Sequence, residues 1–128
     1  MEYLFLIGRV LFGGFFMMSG INHFRHVSGM AGYAASKGVL FPKIMVILSG
    51  LLILLGGFWI VTGIYVQVGV LEIALFLLPV SFVMHPFWKD TDPAARSMNE
   101  IQFKKNMALL GAALMLLMIP LPWVLSLA

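Results

Sequence analysis

Two charged residues lie deep inside long apolar segments of this chain, and they are the first candidates for chemistry. Arg9 is six residues into the segment 3–21, and Glu72 is six residues into the segment 66–84. If both segments are helices that cross a membrane in the same direction, both charges lie ~9 Å in from the same end. A charge in lipid is costly and usually faces the protein interior, where it marks a functional path. We expect either an Arg9–Glu72 pair, or an Arg9 that reaches back to the interface while Glu72 stays protonated or faces a water-filled cleft.

A second group of polar residues is predicted at the other end of these segments. Asn22 and His23 follow the first apolar segment, His85 ends the third, and Lys105 and Asn106 open the fourth. Histidine beside amide and lysine groups could bind a quinone carbonyl or move a proton. The alternative is ordinary capping of helix ends at the interface. The three histidines have no carboxylate or cysteine partner at ligand spacing, so no metal site is expected.

The surrounding sequence is too apolar for a soluble domain of this size. It has 128 residues, of which 62% are hydrophobic and 10% charged, whereas soluble domains carry about 25% charged residues. A helix of about 20 residues crosses the hydrocarbon core, and a lone strand would leave its backbone unpaired there. We therefore expect an all-α membrane protein, a four-transmembrane-helix bundle that forms a single domain over residues 1–128. The predicted spans are 3–21, 43–64, 66–84 and 103–126.

The connections between these spans have distinct signatures. Spans two and three are joined at residues 65–67, which predicts a tight antiparallel hairpin. Between spans one and two, apolar residues at helical spacing around Tyr33 predict a short amphipathic helix at the membrane interface that stops at Gly38. Before span four, Asp92 is placed as an N-cap and Pro93 as the first helical residue.

Glycines recur inside the first two predicted spans. Gly13 and Gly14 lie in the first span, and Gly50, Gly56 and Gly57 lie in the second. Small residues of this kind allow membrane helices to approach closely. We interpret them as packing residues of the bundle.

The basic residues indicate an orientation. Seven of the eight Lys and Arg residues lie in the two long loops or at their edges, and such loops face the cytoplasm. Both termini are then expected outside, with Tyr3 and Trp123 at the outer interface. The basic residues form no stripe, so the net charge of +3 does not indicate nucleic-acid binding. The chain has no cysteine, which excludes thiol chemistry.

Several short motifs, taken in order, resemble those of the DoxX family over nearly the whole chain. The motifs are Gly8–Gly13, Ser19–Asn22, Gly32–Val39, Phe41–Pro42, Leu55–Gly57, His85–Trp88 and Phe103–Asn106. The resemblance implies a small four-helix protein of the bacterial inner membrane, in a family whose name is linked to quinol oxidase and thiosulfate:quinone oxidoreductase complexes. It also implies that a set of recurrent polar positions is present here as Arg9, Asn22, Tyr33, His85, Lys105 and Asn106. One departure is Ile53, since the family usually has a glutamate just before the glycine pair.

The leading hypothesis is a quinone-linked or redox-associated membrane subunit that binds a hydrophobic ligand within the bundle. A partner protein would then supply electrons, quinone is the cofactor to test, and a homo-oligomer is an open alternative. The candidate ligand-binding residues are Arg9, Glu72, Asn22, His23, Tyr33, His85, Lys105 and Asn106. The main alternative is a non-enzymatic membrane scaffold or assembly factor, and a small lipid or solute carrier is the third.

Overall fold

The computed structural model describes residues 1–127 and is built of helices, as predicted. Ala128, the last residue of the predicted domain, lies outside the described residues. Over the described range there are five α-helices, and a short 3-10 helix precedes the last of them. The α-helices are α1 (Glu2–Arg25), α2 (Val27–Ser36), α3 (Pro42–Thr62), α4 (Val66–Met84) and α5 (Pro93–Leu116), and the 3-10 helix is Phe87–Lys89.

Three helices within residues 1–127 are long and apolar enough to cross a membrane, namely α1, α3 and α4 with the turn that extends it. Helix α1 packs on α3, α3 on α4, and α4 on α5. Gly63–Tyr65 separate α3 from α4, which confirms the tight hairpin. Gly63 has φ +78°, a left-handed conformation that glycine adopts without steric cost.

The fourth predicted span is only partly helical. Helix α5 begins at Pro93 as expected, and the Asp92 carboxylate caps it by accepting the Ala95 N–H at 3.0 Å. It ends at Leu116, so the prediction of a helix through residue 126 is wrong. Pro120 and Pro122 follow, and neither can donate a backbone hydrogen bond to continue the helix.

Residues 117–127, here called the C-terminal segment, fold back over the end of the α3–α4 hairpin. The Leu127 N–H donates to the Thr62 carbonyl at 2.9 Å. Trp123 is 3% exposed and stacks edge-on against Phe5, with ring centroids 5.1 Å apart. Trp123 is therefore a core residue, and its place at the outer interface stays a prediction.

The loop between α1 and α3 contains the short helix α2, which packs on α3. Ala31 and Ala34 face the bundle and are buried. Tyr33 is exposed, and the Lys37 ammonium lies 5.6 Å from the centre of its ring. Gly38 follows the helix with φ +83°, as expected for a residue that ends it. The amphipathic, interfacial placement of α2 stays a prediction.

Glycine pairs hold α1 and α3 together and confirm the predicted role of Gly13, Gly50 and Gly57. A Cβ atom on Gly13 would lie 2.6 Å from the Gly57 carbonyl oxygen, and one on Gly20 would lie 2.6 Å from the Gly50 carbonyl oxygen. Both obstacles are backbone atoms, which cannot move without separating the helices. Gly14 is different, because nothing lies within 4 Å of its added Cβ.

We expect Gly13→Ala to destabilise the bundle by about 1–3 kcal/mol, the usual cost of overpacking. The adjacent Gly14→Ala is the matched control and should be neutral or stabilising by up to about 1 kcal/mol, because alanine is the better helix former. Thermal unfolding in detergent, followed by tryptophan fluorescence, measures both variants. Equal effects of the two substitutions would contradict a close α1–α3 contact.

Candidate functional site

Arg9 is the most buried charged side chain in the described chain, at 2% exposure. Its Nε donates to the Ile60 carbonyl at 3.3 Å, and Nη2 donates to the Val61 carbonyl at 2.9 Å. Nη1 donates to the Val124 carbonyl, and Nη2 also donates to the Leu125 carbonyl at 3.3 Å. The guanidinium is thus surrounded by backbone oxygens from two separate parts of the chain.

These contacts explain how α3 ends inside an apolar environment. The last four carbonyls of a helix have no partner within it. Here the Trp59 carbonyl accepts the Gly63 N–H, Arg9 serves the next two, and the Thr62 carbonyl accepts the Leu127 N–H. A cation also complements the negative end of the helix dipole. Arg9 therefore joins α1, the end of α3 and the C-terminal segment.

Aromatic rings complete the surroundings of Arg9. Its guanidinium carbon lies 5.5 Å from the centre of the Phe5 ring and 5.6 Å from that of Trp123. Distances below ~6 Å are typical of cation–π attraction. The guanidinium thus makes four hydrogen bonds to backbone oxygens with its five N–H groups, and two aromatic rings flank it, so most of its hydrogen-bonding capacity is met by its own chain.

Glu72 does not pair with Arg9, so that prediction is wrong. Glu72 is half-buried on α4 and lies beside the indole of Trp59 on α3. Among residues 1–127 the only ion pair joins Lys104 and Glu100, at 3.0 Å. The alternative, an Arg9 that reaches back to the interface, stays a prediction, although the side chain is buried within the described residues.

A cleft of about 210 Å³ opens beside Arg9, between α1 and α5. Arg9 is its one charged wall residue, and the remaining wall is apolar. We call it the α1–α5 cleft, and it is lined by Phe5, Gly8, Arg9, Phe12, Ile60, Ala112 and Leu116. Because Arg9 makes four hydrogen bonds to backbone and the rest of the wall is apolar, this cleft is better suited to an apolar group than to a hydrogen-bonding one.

His23 lies at the other end of the bundle, which carries the long loops and is here called the basic end. It is 8% exposed, and its Nδ1 lies 3.1 Å from both the Val46 carbonyl oxygen and the Ser49 hydroxyl. A carbonyl can only accept, so Nδ1 carries the proton and Nε2 is left as an acceptor. The ring also packs edge-on against Phe76 at 5.7 Å.

His85 anchors the start of α5 to the end of α4 through a polar chain. Its Nδ1 lies 3.1 Å from the Asn99 Oδ1, and the Asn99 amide donates to the Asp90 carboxylate at 2.8 Å. Asn99 is buried, and it was not among the candidates from sequence. Its signal was its spacing, because Asn99 and Asn106 are two helical turns apart on one face of α5.

Asn106 is the one candidate whose polar group is nearly buried and unmatched. Its side chain is 7% exposed on the inward face of α5. Within the described residues it makes no hydrogen bond. None of the side-chain polar atoms in that range is both fully enclosed and unpartnered, so the Asn106 amide keeps a small opening to the outside of the bundle. It can donate two hydrogen bonds and accept others.

The remaining candidates lie on the surface. Asn22 and Tyr33 are exposed. Lys105 is also exposed, donates to the Gln102 side chain at 2.7 Å and lies 5.6 Å from the centre of the Phe15 ring. Across residues 1–127, no hydrogen bond or ion pair joins any two of the eight candidates. The structure therefore separates the candidates: Arg9 and His23 are buried and bonded to backbone, and Asn106 is nearly buried without a partner. Glu72 and His85 are half-buried, and the others are exposed.

Ile53, where the family usually has a glutamate, fits an entirely apolar site. Ile53 is 0% exposed and belongs to the apolar core with Phe16 and Ile73. A glutamate at this position would be buried among apolar side chains. Over the described range there is also no group of three His, Cys, Asp or Glu residues placed to hold a metal ion.

Comparison with known proteins gives one family. The DoxX family model matches residues 4–86, which run from the start of α1 to just past the end of α4. The matched region includes Arg9, His23 and His85, and it ends before Lys105 and Asn106. No curated protein and no solved structure matches the chain.

We expect Arg9→Leu to lower the free energy of unfolding by about 3 kcal/mol, because hydrogen bonds to charged groups are worth ~1.5–3 kcal/mol each and several carbonyls would lose their donor. The C-terminal segment should also become open to carboxypeptidase or limited proteolysis. Arg25→Leu, which removes an exposed arginine from the same helix, is the control and should leave both readouts unchanged.

The same variant separates the observed arrangement from an ion pair. In a double-mutant cycle, Arg9→Leu and Glu72→Gln should combine additively, with a coupling below about 0.5 kcal/mol. A coupling well above that value would mean that the two charges meet in the membrane.

Proposed function

Because the chain belongs to the DoxX family, we propose that it is a bacterial inner-membrane protein that binds an isoprenoid quinone between its helices, as a subunit of a membrane redox assembly. The proposal is supported by a polar side chain and an apolar cleft within the bundle, and not by a complete catalytic site. A quinone suits this bundle because its ring carbonyls accept hydrogen bonds and its tail is apolar.

The observation that carries the proposal is the Asn106 amide. It is nearly buried, and no described residue hydrogen-bonds to it. Its polar atoms open to the outside of the bundle, and where that opening faces hydrocarbon an amide without a partner costs about 1–3 kcal/mol. A quinone carbonyl would accept a hydrogen bond from Nδ2 and remove that cost. Asn106 is therefore the proposed contact for the ring.

The α1–α5 cleft supports a place for the tail. Its volume of about 210 Å³ is below the ~300–1,000 Å³ of pockets that enclose a whole small molecule. It would hold a stretch of chain whose remainder lies in the lipid. Ala112 in the cleft is six residues beyond Asn106 on α5, or ~9 Å along the helix axis. A ring at Asn106 and a tail along the cleft would then run nearly parallel to α5.

The proposed reaction partner lies outside this chain. Reduction of a quinone to a quinol takes two electrons and two protons, and we assign the electrons to a partner protein and the protons to the aqueous phase. His23 is the proposed residue for positioning, because its Nε2 is left as an acceptor at the basic end. The chain would bind and orient the quinone, whereas the partner would supply the reductant.

The direct test is to identify what is bound. The protein is extracted in mild detergent, purified, and analysed for co-purified isoprenoid quinone by mass spectrometry, with an unrelated four-span membrane protein as the control. A short-tailed quinone is then added to the lipid-free protein, and thermal unfolding is followed. Absence of both an enriched quinone and a thermal shift would refute the proposal.

Asn106→Leu gives a sharper prediction. The substitution should raise the stability of the ligand-free protein if Asn106 serves a ligand, and should lower it if Asn106 serves the fold. If Asn106 is an unmatched amide kept for a ligand, Asn106→Leu should raise the stability of the ligand-free protein by about 1–3 kcal/mol and abolish the stabilisation by quinone. Asn22→Leu, at an exposed amide on α1, is the control and should keep the quinone effect. A loss of ligand-free stability in Asn106→Leu would contradict the proposed role.

A second candidate function is a non-enzymatic scaffold or assembly factor. The observation that favours it is Arg9, since all of its hydrogen bonds in the described residues go to the protein's own backbone, which is an architectural role. This function predicts no quinone and a specific protein partner that co-purifies. The quinone analysis and the Asn106 variant therefore decide between the two.

We further propose that α5 and the C-terminal segment provide the fourth membrane crossing of a single domain. The proposed orientation places the basic end in the cytoplasm and both termini in the periplasm, on the evidence of loop charge. An alkaline phosphatase fusion at the C-terminus should be active, and a fluorescent reporter that matures only in the cytoplasm should be dark. The opposite pair of signals would overturn the orientation.

A further inference from the structure

A second cavity lies at the basic end, away from Asn106 and from the α1–α5 cleft. Its volume is about 380 Å³, within the range of pockets that bind small ligands. It lies between the end of α2 and the end of α4 with its 3-10 turn. We call it the basic-end pocket, and its main lining residues are Ser36, Lys37, Phe82, Val83, Lys89 and Asp90.

One side of this pocket is cationic. Lys37 and Lys89 both line it, and neither forms an ion pair within the described residues. The one acidic wall residue, Asp90, already accepts a hydrogen bond from the Asn99 amide at 2.8 Å. Lys37 and Lys105 are also close enough to His85 to act on it electrostatically. The pocket wall therefore holds two ammonium groups against one carboxylate, and neither ammonium is ion-paired with that carboxylate.

The other side of the pocket is apolar and continues onto the outer face of the bundle. Phe82 is 53% exposed and Val83 is 43% exposed, both in the last turns of α4. Phe82 also packs against Phe103 at 5.2 Å and Trp88 at 6.0 Å. Aromatic residues of this kind concentrate where a membrane meets water. The pocket thus joins a cationic rim to an apolar wall at the end of a spanning helix.

We propose that the basic-end pocket binds an anionic phospholipid. The phosphate of the head group lies between the Lys37 and Lys89 ammonium groups, and the first acyl chain lies along Phe82 and Val83. Basic pockets between membrane helices are suited to anionic head groups. A soluble anion would use the rim alone and leave the apolar wall empty, whereas a phospholipid uses both. This proposal does not depend on the proposed binding of quinone.

The size of the effect can be estimated from the charges. A lysine near an anionic membrane surface strengthens binding about fivefold. Removing one pocket lysine should therefore weaken binding of an anionic lipid about fivefold, and removing both should weaken it about 25-fold. A zwitterionic lipid has no net charge to lose, so its binding should change less than about twofold.

The test is native mass spectrometry of the purified full-length protein in detergent, titrated with phosphatidylglycerol and separately with phosphatidylcholine. The variants are Lys37→Gln, Lys89→Gln and the double variant. Lys43→Gln is the matched control, since Lys43 is exposed at the same end of the bundle and does not line the pocket. Thermal unfolding in detergent checks that each variant is folded.

The expected result is preferential binding of phosphatidylglycerol that falls about fivefold in each pocket variant and stays within about twofold of the parent in Lys43→Gln. An equal loss in Lys43→Gln would overturn the proposal, because it would indicate general attraction to the basic end. Equal binding of phosphatidylcholine would overturn it as well. Displacement of phosphatidylglycerol by soluble glycerol phosphate at a similar concentration would show a site for a free anion and would also overturn it.

Discussion

The fold depends on how the Arg9 guanidinium is satisfied. Lipid offers no hydrogen bonds, so non-helical backbone at membrane depth needs partners within the protein. Arg9 donates to two carbonyls at the end of α3 and to two in the C-terminal segment. This one side chain therefore allows α3 to end and allows an irregular segment to pack against it. The hydrogen bonds of this deep charge are therefore architectural.

Much of the fold follows from local sequence signals. The apolar segments predict α1, α3 and α4, because their length matches a membrane crossing. The Asp92–Pro93 dipeptide predicts the start of α5, since both residues act on neighbouring backbone groups. The glycine contacts between α1 and α3 could also be predicted, because small residues allow membrane helices to pack closely. Each of these signals involves residues that are close together in the sequence, so it can be recognised in a single sequence.

The hydrogen-bond partners of Arg9 could not be predicted from such local signals. A search for partners among side chains finds Glu72, the one acid at equal depth, but it cannot see backbone carbonyls, which are present at every residue. Which carbonyls are free depends on where α3 and α5 end. Pro120 and Pro122 were the available signal that α5 stops early. Had the end of the helix been placed at Leu116, unpaired carbonyls would have become candidate partners for Arg9.

The two ends of the bundle consequently use polar groups in opposite ways. At the Arg9 end, charge and backbone satisfy each other, and Trp123 closes over them. At the basic end and along α5, the Asn106 amide and the lysines of the basic-end pocket have no such internal match. A small membrane protein cannot hide unmatched polarity cheaply, so the unmatched groups are where an external molecule has most to contribute. Asn106 and the basic end, rather than the deep charge, therefore carry the two proposed binding sites.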